Sequence, residues 1–123
     1  MNETELRIHR ANTTAFISEN PRQITLTPVS RARTPSGGYK DTDQEPRDPQ
    51  TFRVIEFGMR TAPPMLRTSN GTQREARYWL LGEHDAAVVV GDHWTSEDGR
   101  EWSVGDILPA NGYETRALVA ERG

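Results

Sequence analysis

Apolar and polar side chains alternate in short runs along most of this chain, and helical spacing of apolar residues occurs only near the N-terminus. There, Phe16 and Ile17 follow the polar residues 12–14, whose side chains suit the start of a helix. Asn20-Pro21 ends the pattern, because a residue that precedes proline disfavours helical backbone. The spacing predicts one short helix over Thr13–Glu19, preceded by an extended segment.

Strands are predicted for much of the remaining chain. Successive side chains of a strand point to opposite faces, and this period-two alternation recurs in stretches of β-branched and aromatic residues. Turn residues separate the stretches at short intervals. The predicted strands are Arg22–Ser30, Thr51–Met59, Arg74–Leu81, Ala86–Val90, His93–Thr95 with Glu101–Ser103, and Val104–Ala110 with Tyr113–Glu121.

Two turn signals in the last third of the chain fix strand pairing. Asp98-Gly99 favours a tight reversal, and a three-residue loop there would place Trp94 directly opposite Trp102. Asn111-Gly112 is a strong hairpin signal and predicts a second reversal between the last two strands.

Two long segments lack the apolar residues needed for a core. The first spans residues 31–50, contains three prolines and the pair Gly37-Gly38, and has Tyr39 as its only aromatic residue. The second spans residues 60–73. Loops of this length are uncommon inside compact domains and usually carry function or are disordered. The first loop is therefore the leading candidate for a functional segment.

These elements predict a mainly β fold in a single domain that covers residues 1–123. Short antiparallel strands with close turns are typical of a small barrel or sandwich, here of about six strands, with one short N-terminal helix and long loops. Periodicity alone does not choose between barrel and sandwich.

Composition narrows the functional classes. The chain has no cysteine, which excludes disulfides and thiolate chemistry. Its net charge of -3 disfavours a general affinity for the nucleic-acid backbone. The N-terminus lacks the pattern of a signal peptide and no stretch reaches membrane-spanning length, so a soluble protein made in the cytoplasm is expected, with no membrane partner.

No motif for catalysis, cofactor binding or metal binding is present. The serines lack a Gly-x-Ser-x-Gly elbow, and the glycine pair of the first loop lacks the remainder of a phosphate-binding loop. His84-Asp85 and Asp92-His93 pair histidine with acid, but their spacing matches no zinc or calcium site. The sequence therefore predicts a protein that is not an enzyme, with no catalytic residues, cofactor or metal.

Four aromatic side chains could in principle form a surface on which single-stranded bases stack. Such surfaces interleave basic residues with the rings, whereas four acidic residues occupy positions 92–101, around two of these rings. Repulsion of phosphate favours packing in the core or at a subunit interface instead. The four residues are Trp79, Trp94, Trp102 and Tyr113.

The order of several features is characteristic. The segment Phe16–Pro21 runs into Ile24-Thr25-Leu26, a long Gly/Pro loop follows, and the C-terminal part contains Asp98-Gly99-x-x-Trp102-x-Val104 and then Leu108–Glu114. In this order and spacing, nearly the whole chain resembles the head-to-tail stopper, or head-closure, proteins of siphophages.

The resemblance implies a small antiparallel β-barrel with an added helix, assembled into a six- or twelve-fold ring in the neck of the virion. The ring would lie between the head-tail adaptor or portal complex above and the tail terminator below. It would enclose double-stranded DNA without sequence-specific binding. Its function would be structural: joining head to tail and retaining packaged DNA until ejection.

The resemblance also assigns a role to the first long loop. In the stopper family a long loop projects toward the channel axis, and residues 34–50 correspond to it. The two glycines would supply mobility, and the polar residues after them would contact symmetry-related loops. The expected channel residues are Gly37, Gly38, Tyr39, Lys40 and Asp41.

Two alternatives stay open on the sequence. A tail terminator or another neck ring protein would share most of these features. A single-stranded nucleic-acid-binding β-barrel would require exposed aromatic rings and a salt-dependent affinity for DNA.

Overall fold

Short antiparallel strands surround one apolar core, and a helix packs outside them. The structure, a computed structural model, describes residues 1–56, 65–67, 73–75 and 78–122. In chain order its elements are α1 (Glu3–Ser18), β1 (Arg22–Ile24), β2 (Val29–Arg33), β3 (Tyr39–Asp43), β4 (Gln50–Glu56), β5 (Met65–Arg67), β6 (Gln73–Glu75), β7 (Tyr78–Gly82), β8 (His93–Thr95), β9 (Glu101–Ile107) and β10 (Thr115–Arg122).

Six of the described strands form one antiparallel sheet in the order β1-β4-β7-β10-β9-β8. The segment that follows its first strand meets its last strand where Thr27 and His93 exchange two backbone hydrogen bonds, with N···O distances of 2.9 and 3.1 Å. The sheet therefore curls into a nearly closed barrel. The prediction of a mainly β fold with a small antiparallel barrel of about six strands and one N-terminal helix is confirmed.

Alternation along the strands fills the interior of the barrel with side chains. On β10, Ala117 and Val119 point into the core, whereas Leu118 and Ala120 belong to a second cluster on the outer face. The buried residues of the main core are Ile24, Leu26, Phe52, Leu80, Trp94, Trp102, Val104, Ala117 and Val119.

The helix is longer than predicted. It spans Glu3–Ser18, so the prediction of a short helix over Thr13–Glu19 was wrong about where it begins. Asn2 caps it, since its side-chain oxygen accepts the backbone N–H of Glu5 at 2.8 Å. Polar residues fill most of the first half of this helix, which packs on β4 and β7 mainly through its second half, around Ile17. Hydrophobic periodicity therefore gave no helix signal over the first ten residues of the helix.

Both predicted C-terminal reversals exist. Trp94 lies directly opposite Trp102, as predicted, because Ser96 and Arg100 close a three-residue loop through an N–H···O bond of 2.8 Å. The second reversal is wider than a two-residue turn. It spans residues 108–114, and Asn111 uses its side-chain oxygen to accept two backbone N–H groups within it.

Two predictions about strands were wrong. Ala86–Val90 lies outside the sheet, because Ala87 pairs with the side-chain amide of Gln50 instead of a backbone partner. Conversely, residues 31–50 are not a continuous loop, since β2 and β3 form a hairpin with each other. Charged side chains alternate along this hairpin, so it lacked the apolar signal of a strand.

Other boundaries shift in smaller ways. The predicted strand Arg22–Ser30 divides at residues 25–28 between β1 and β2, which belong to different sheets. The predicted strand Thr51–Met59 corresponds to β4, and Arg74–Leu81 corresponds to parts of β6 and β7. Residues 57–59 and 76–77 of these predictions lie outside the described residues. Within the predicted loop 60–73, residues 65–67 form β5 and Gln73 begins β6, while 60–64 and 68–72 lie outside the described residues.

Candidate functional site

The hairpin of β2 and β3, residues 29–43 and hereafter the arm, stands apart from the barrel. Within the described part of the chain its strands pair only with each other, from Val29 opposite Asp43 to Arg33 opposite Tyr39. Every residue of β3 is exposed. The arm is thus a two-stranded extension that contributes nothing to the described core.

A tight turn at the tip closes the arm. Thr34 donates its backbone N–H to the carbonyl of Gly38 at 2.7 Å, and its hydroxyl accepts the N–H of Gly38 at 3.1 Å. Gly37 adopts a φ of 89°, a left-handed conformation that favours glycine. The glycine pair therefore shapes a defined turn, where the sequence predicted only mobility.

The arm carries the predicted channel residues. Gly37 and Gly38 form the tip, and Tyr39, Lys40 and Asp41 follow on β3. Tyr39 is 64% exposed, and the guanidinium of Arg31 lies 4.9 Å from the centre of its ring. The structure brings all five together on one projecting element.

Contacts at the root attach the arm to the barrel. His93, the first residue of β8, exchanges backbone hydrogen bonds with Thr27 just before β2, and its Nε2 lies 2.9 Å from Asp43 Oδ1 at the end of β3. The N–H of Gln44 also donates to the carbonyl of Pro28 at 2.9 Å. Both strands of the arm are therefore held at their base.

A buried ion pair anchors the chain shortly after the arm. Asp92 is 1% exposed, and its Oδ2 accepts the Nε–H of Arg47 at 3.0 Å and the backbone N–H of Val89 at 3.0 Å. The backbone N–H of Arg47 donates to the carbonyl of Leu26 at 2.8 Å. The pair fixes where the chain re-enters the barrel, and it accounts for Asp92 without a metal ion.

Two of the four singled-out aromatic residues lie inside the barrel. Trp94 and Trp102 are each 6% exposed and stack with ring centres 5.8 Å apart. The ring of Tyr78 meets Trp102 edge-on at 4.9 Å, and the indole N–H of Trp102 donates to Ser96 Oγ at 3.1 Å. Such aromatic pairs add about 0.5–1.5 kcal/mol beyond the burial of their surface. Trp94 and Trp102 are therefore core residues, and little of either ring is exposed.

The other two aromatic residues are half-buried on the outside of the barrel. Trp79 packs against Leu118 and Ala120 on the outer face of the sheet. Tyr113 stacks on His9 of α1, with ring centres 4.9 Å apart. Tyr113 therefore helps to fix the helix to the loop between β9 and β10.

A cleft of about 940 Å³ opens beside β1 and β8, at the end of these strands that faces away from the arm. Tyr78, Trp94 and Trp102 line it, together with polar residues of the turn between β8 and β9. No histidine is among the described residues that line it. At its rim, a hydrogen bond from the Ser96 hydroxyl, and next one from the Arg100 N–H, lower the pKa of Asp98. Asp98 is thus held in its charged form within the turn.

Neither a cluster of metal-ligating side chains nor a membrane-spanning helix occurs in the part of the chain that the structure describes. No group of three or more metal-ligating side chains occurs there. The described residues also contain no helix that is long and apolar enough to cross a bilayer.

No protein-family model matches this chain, and no curated protein is significantly similar to it. The arm, its attachment to the barrel and the packed core are therefore the features on which a function can be argued.

The sequence predicted the segment that forms the arm, but it did not predict the side-chain contacts that hold the arm and the chain after it. Asp43 and His93 are 50 positions apart, and Arg47 and Asp92 are 45 apart. The only signal was the dipeptide Asp92-His93, which the sequence raised as an unlikely pair of metal ligands. In the structure these two neighbours hold the root of the arm and the chain that follows it.

Proposed function

We propose that this protein is a structural, non-enzymatic ring subunit in the neck of a tailed bacteriophage, where it acts as a head-to-tail stopper. The observation that carries the proposal is the arm: an exposed hairpin on a small barrel, in the segment that corresponds to the channel-directed loop of that family.

The size of the arm suits a channel gate. Each of its strands has five residues, and a strand rises about 3.3 Å per residue, so the arm reaches roughly 16 Å beyond its root. Copies arranged with cyclic symmetry would bring their tips toward a common axis. A ring of such arms can narrow a channel without any chemical step.

The charge of the arm suits contact with DNA that must later pass. Arg31, Arg33 and Lys40 are basic, and Asp41 and Asp43 are acidic. A strongly basic surface would bind phosphate tightly and resist passage, because each neutralised phosphate releases counterions and adds affinity. The mixed charges of the arm therefore favour steric blocking of the channel over tight binding of DNA.

In this proposal six or twelve copies form the ring. The head-tail adaptor or portal complex lies above it and the tail terminator below it. The arms block the channel after packaging and move aside at ejection, so that double-stranded DNA is enclosed without sequence-specific recognition. The protein is made in the host cytoplasm and ends in the virion neck.

Burial of Trp94 and Trp102 removes the main support for the single-stranded nucleic-acid-binding alternative, which needs accessible rings. A tail terminator or another neck ring protein would share the barrel and differ in position. Position in the virion therefore separates the remaining candidates.

A cryo-EM map of the neck of the phage that encodes this chain tests the proposal. The expected result is a ring of barrels directly beneath the adaptor, with the hairpins directed at the axis. A ring at the tail end of the neck would instead identify a tail terminator, and absence of the chain from the virion would reject the proposal.

A further inference from the structure

One residue of the barrel contacts the last residue of the arm and also the segment that leads into the arm. His93 accepts and donates backbone hydrogen bonds with Thr27, which leads into β2, at 2.9 and 3.1 Å. Its imidazole Nε2 lies 2.9 Å from Asp43 Oδ1, and Asp43 is the last residue of β3. The chain entering the hairpin and the residue ending it thus both contact His93 at the start of β8.

The two contacts differ in how easily they can open. The backbone pair with Thr27 closes the barrel between β1 and β8 and is part of the fold. The Asp43 side chain is 66% exposed, whereas that of His93 is 18% exposed, so water and other polar groups can compete for the carboxylate. The side-chain contact is therefore the one that can be released while the barrel stays intact.

The next attachment lies too far along the chain to fix the direction of the arm. Arg47 binds Asp92, but residues 44–46 separate it from the end of β3. Among the described residues, neither strand of the arm forms a ladder with a strand of the barrel, and the contact of Asp43 with His93 links β3 to β8. An arm that lost the Asp43 contact would still be tethered, but its angle to the barrel would be less restricted.

We infer that His93 is a clamp that sets the direction of the arm, and that its side-chain contact with Asp43 is the releasable half of this clamp. The carboxylate accepts the hydrogen bond when the imidazole carries its proton on Nε2. A partner group that captured Asp43, or a shift of β8 that withdrew His93, would free the arm to swing about its root. The clamp does not depend on the proposed neck function; only its use as a gate rests on that proposal.

The absence of cysteine makes a direct distance measurement possible. Ser36→Cys at the tip and Glu101→Cys on the exposed start of β9 provide two sites for spin labels on the full chain. Double electron–electron resonance then reports the distribution of tip-to-barrel distances. We expect a narrow distribution in the labelled parent and a broader one after His93→Ala or Asp43→Ala.

Matched variants separate the clamp from general loosening. His84→Ala removes an exposed histidine of the same barrel end and should leave the distribution narrow. His93→Gln keeps a hydrogen-bonding side chain and should restore part of the narrowing. Asp43→Ala alters an exposed residue outside the core, so it remains informative if His93→Ala unfolds the barrel. A distribution as narrow in Asp43→Ala as in the parent, or equally broad in His84→Ala, would overturn the inference.

Discussion

At the scale of single residues, the burial of Asp92 creates a strong dependence on one partner. A carboxylate that is 1% exposed is stable in its charged form only while it is paired and hydrogen-bonded, and Arg47 supplies that partner. Arg47→Met should destabilise the fold by roughly 3 kcal/mol, the lower end of the range for a broken buried pair, because the side chain of Arg47 is partly exposed. Urea denaturation measures the change in unfolding free energy.

A double-mutant cycle provides the control for this pair. Adding Asp92→Asn to Arg47→Met removes the unpaired charge and keeps an acceptor for the N–H of Val89. The double variant should therefore lose less stability than the sum of the single variants. Additive losses would contradict a direct coupling between the two side chains.

Asp98 makes a contribution to stability that depends on pH. The Ser96 hydroxyl, followed by the N–H of Arg100, lowers the pKa of its carboxyl group in the folded state. Because the pKa of Asp98 is lower in the folded state, the unfolded chain takes up the proton first as pH falls. The stabilisation by Asp98 is therefore complete above the pKa of the unfolded state and is lost as pH falls through the pKa of the folded state. Asp98→Asn should reduce the thermal stability at neutral pH, and the difference from the parent should shrink toward strongly acidic pH. A difference that is constant with pH would count against this origin.

At the scale of elements, local turn chemistry determined what could be predicted. Asp98-Gly99 fixed the register that places Trp94 opposite Trp102, because a three-residue loop allows few alternatives. The run Ala86–Val90 has high strand propensity, yet it lies outside the sheet, where Gln50 and Asp92 satisfy its backbone with side-chain groups. Gln50 lies 37 positions from Ala87, so this pairing leaves no local signal in the sequence.

Local sequence signals also determined which parts of the candidate site could be predicted. Residues 37–41 stood out through their glycine pair and lack of apolar neighbours, and they do lie on the arm. Beyond Val29 and Ser30, its strands escaped prediction because their charged and polar residues form no apolar face. The contacts of His93 and Arg47 with the chain around the arm depend on barrel closure, which no short sequence pattern encodes.

Close packing between β4 and β7 leads to a prediction about a single glycine. A Cβ atom at Gly82 would lie 2.7 Å from Cε1 of Phe52 and 3.0 Å from the Cβ of Ala86. Because Phe52 is fully buried, its ring has little room to move, and Gly82→Ala should cost about 1–3 kcal/mol of unfolding free energy. Gly38→Ala is the matched control, since its Cβ would meet only Thr34 Oγ1 at 3.6 Å. Similar losses in both variants would show that the contact with Phe52 is not the cause.

At the scale of the whole molecule, the barrel and the arm are built on different principles. The barrel is held by a continuous apolar core and by closure between β1 and β8. Among the described residues, the arm is held by its own ladder, its turn and the contacts at its root, and an isolated two-stranded hairpin is at best marginally stable in water. The described chain thus combines a packed barrel with an arm that contributes no residue to the main core.

This arrangement allows the arm to be shortened without disturbing the barrel. Ser30 and Thr42 are cross-strand partners, so residues 31–41 can be replaced by Asn-Gly while Asp43 keeps its contact with His93. We expect the shortened chain to unfold within a few degrees of the parent, as measured by circular dichroism, because no core residue is removed. If the proposed neck function holds, phage particles with the shortened arm should package DNA and then lose it, which a nuclease-protection assay on purified particles would detect. Lys40→Ser, which keeps the length of the arm and removes one charge, should retain DNA if the arm acts by obstruction. Particles that hold their DNA and eject normally with the shortened arm would refute a gating role.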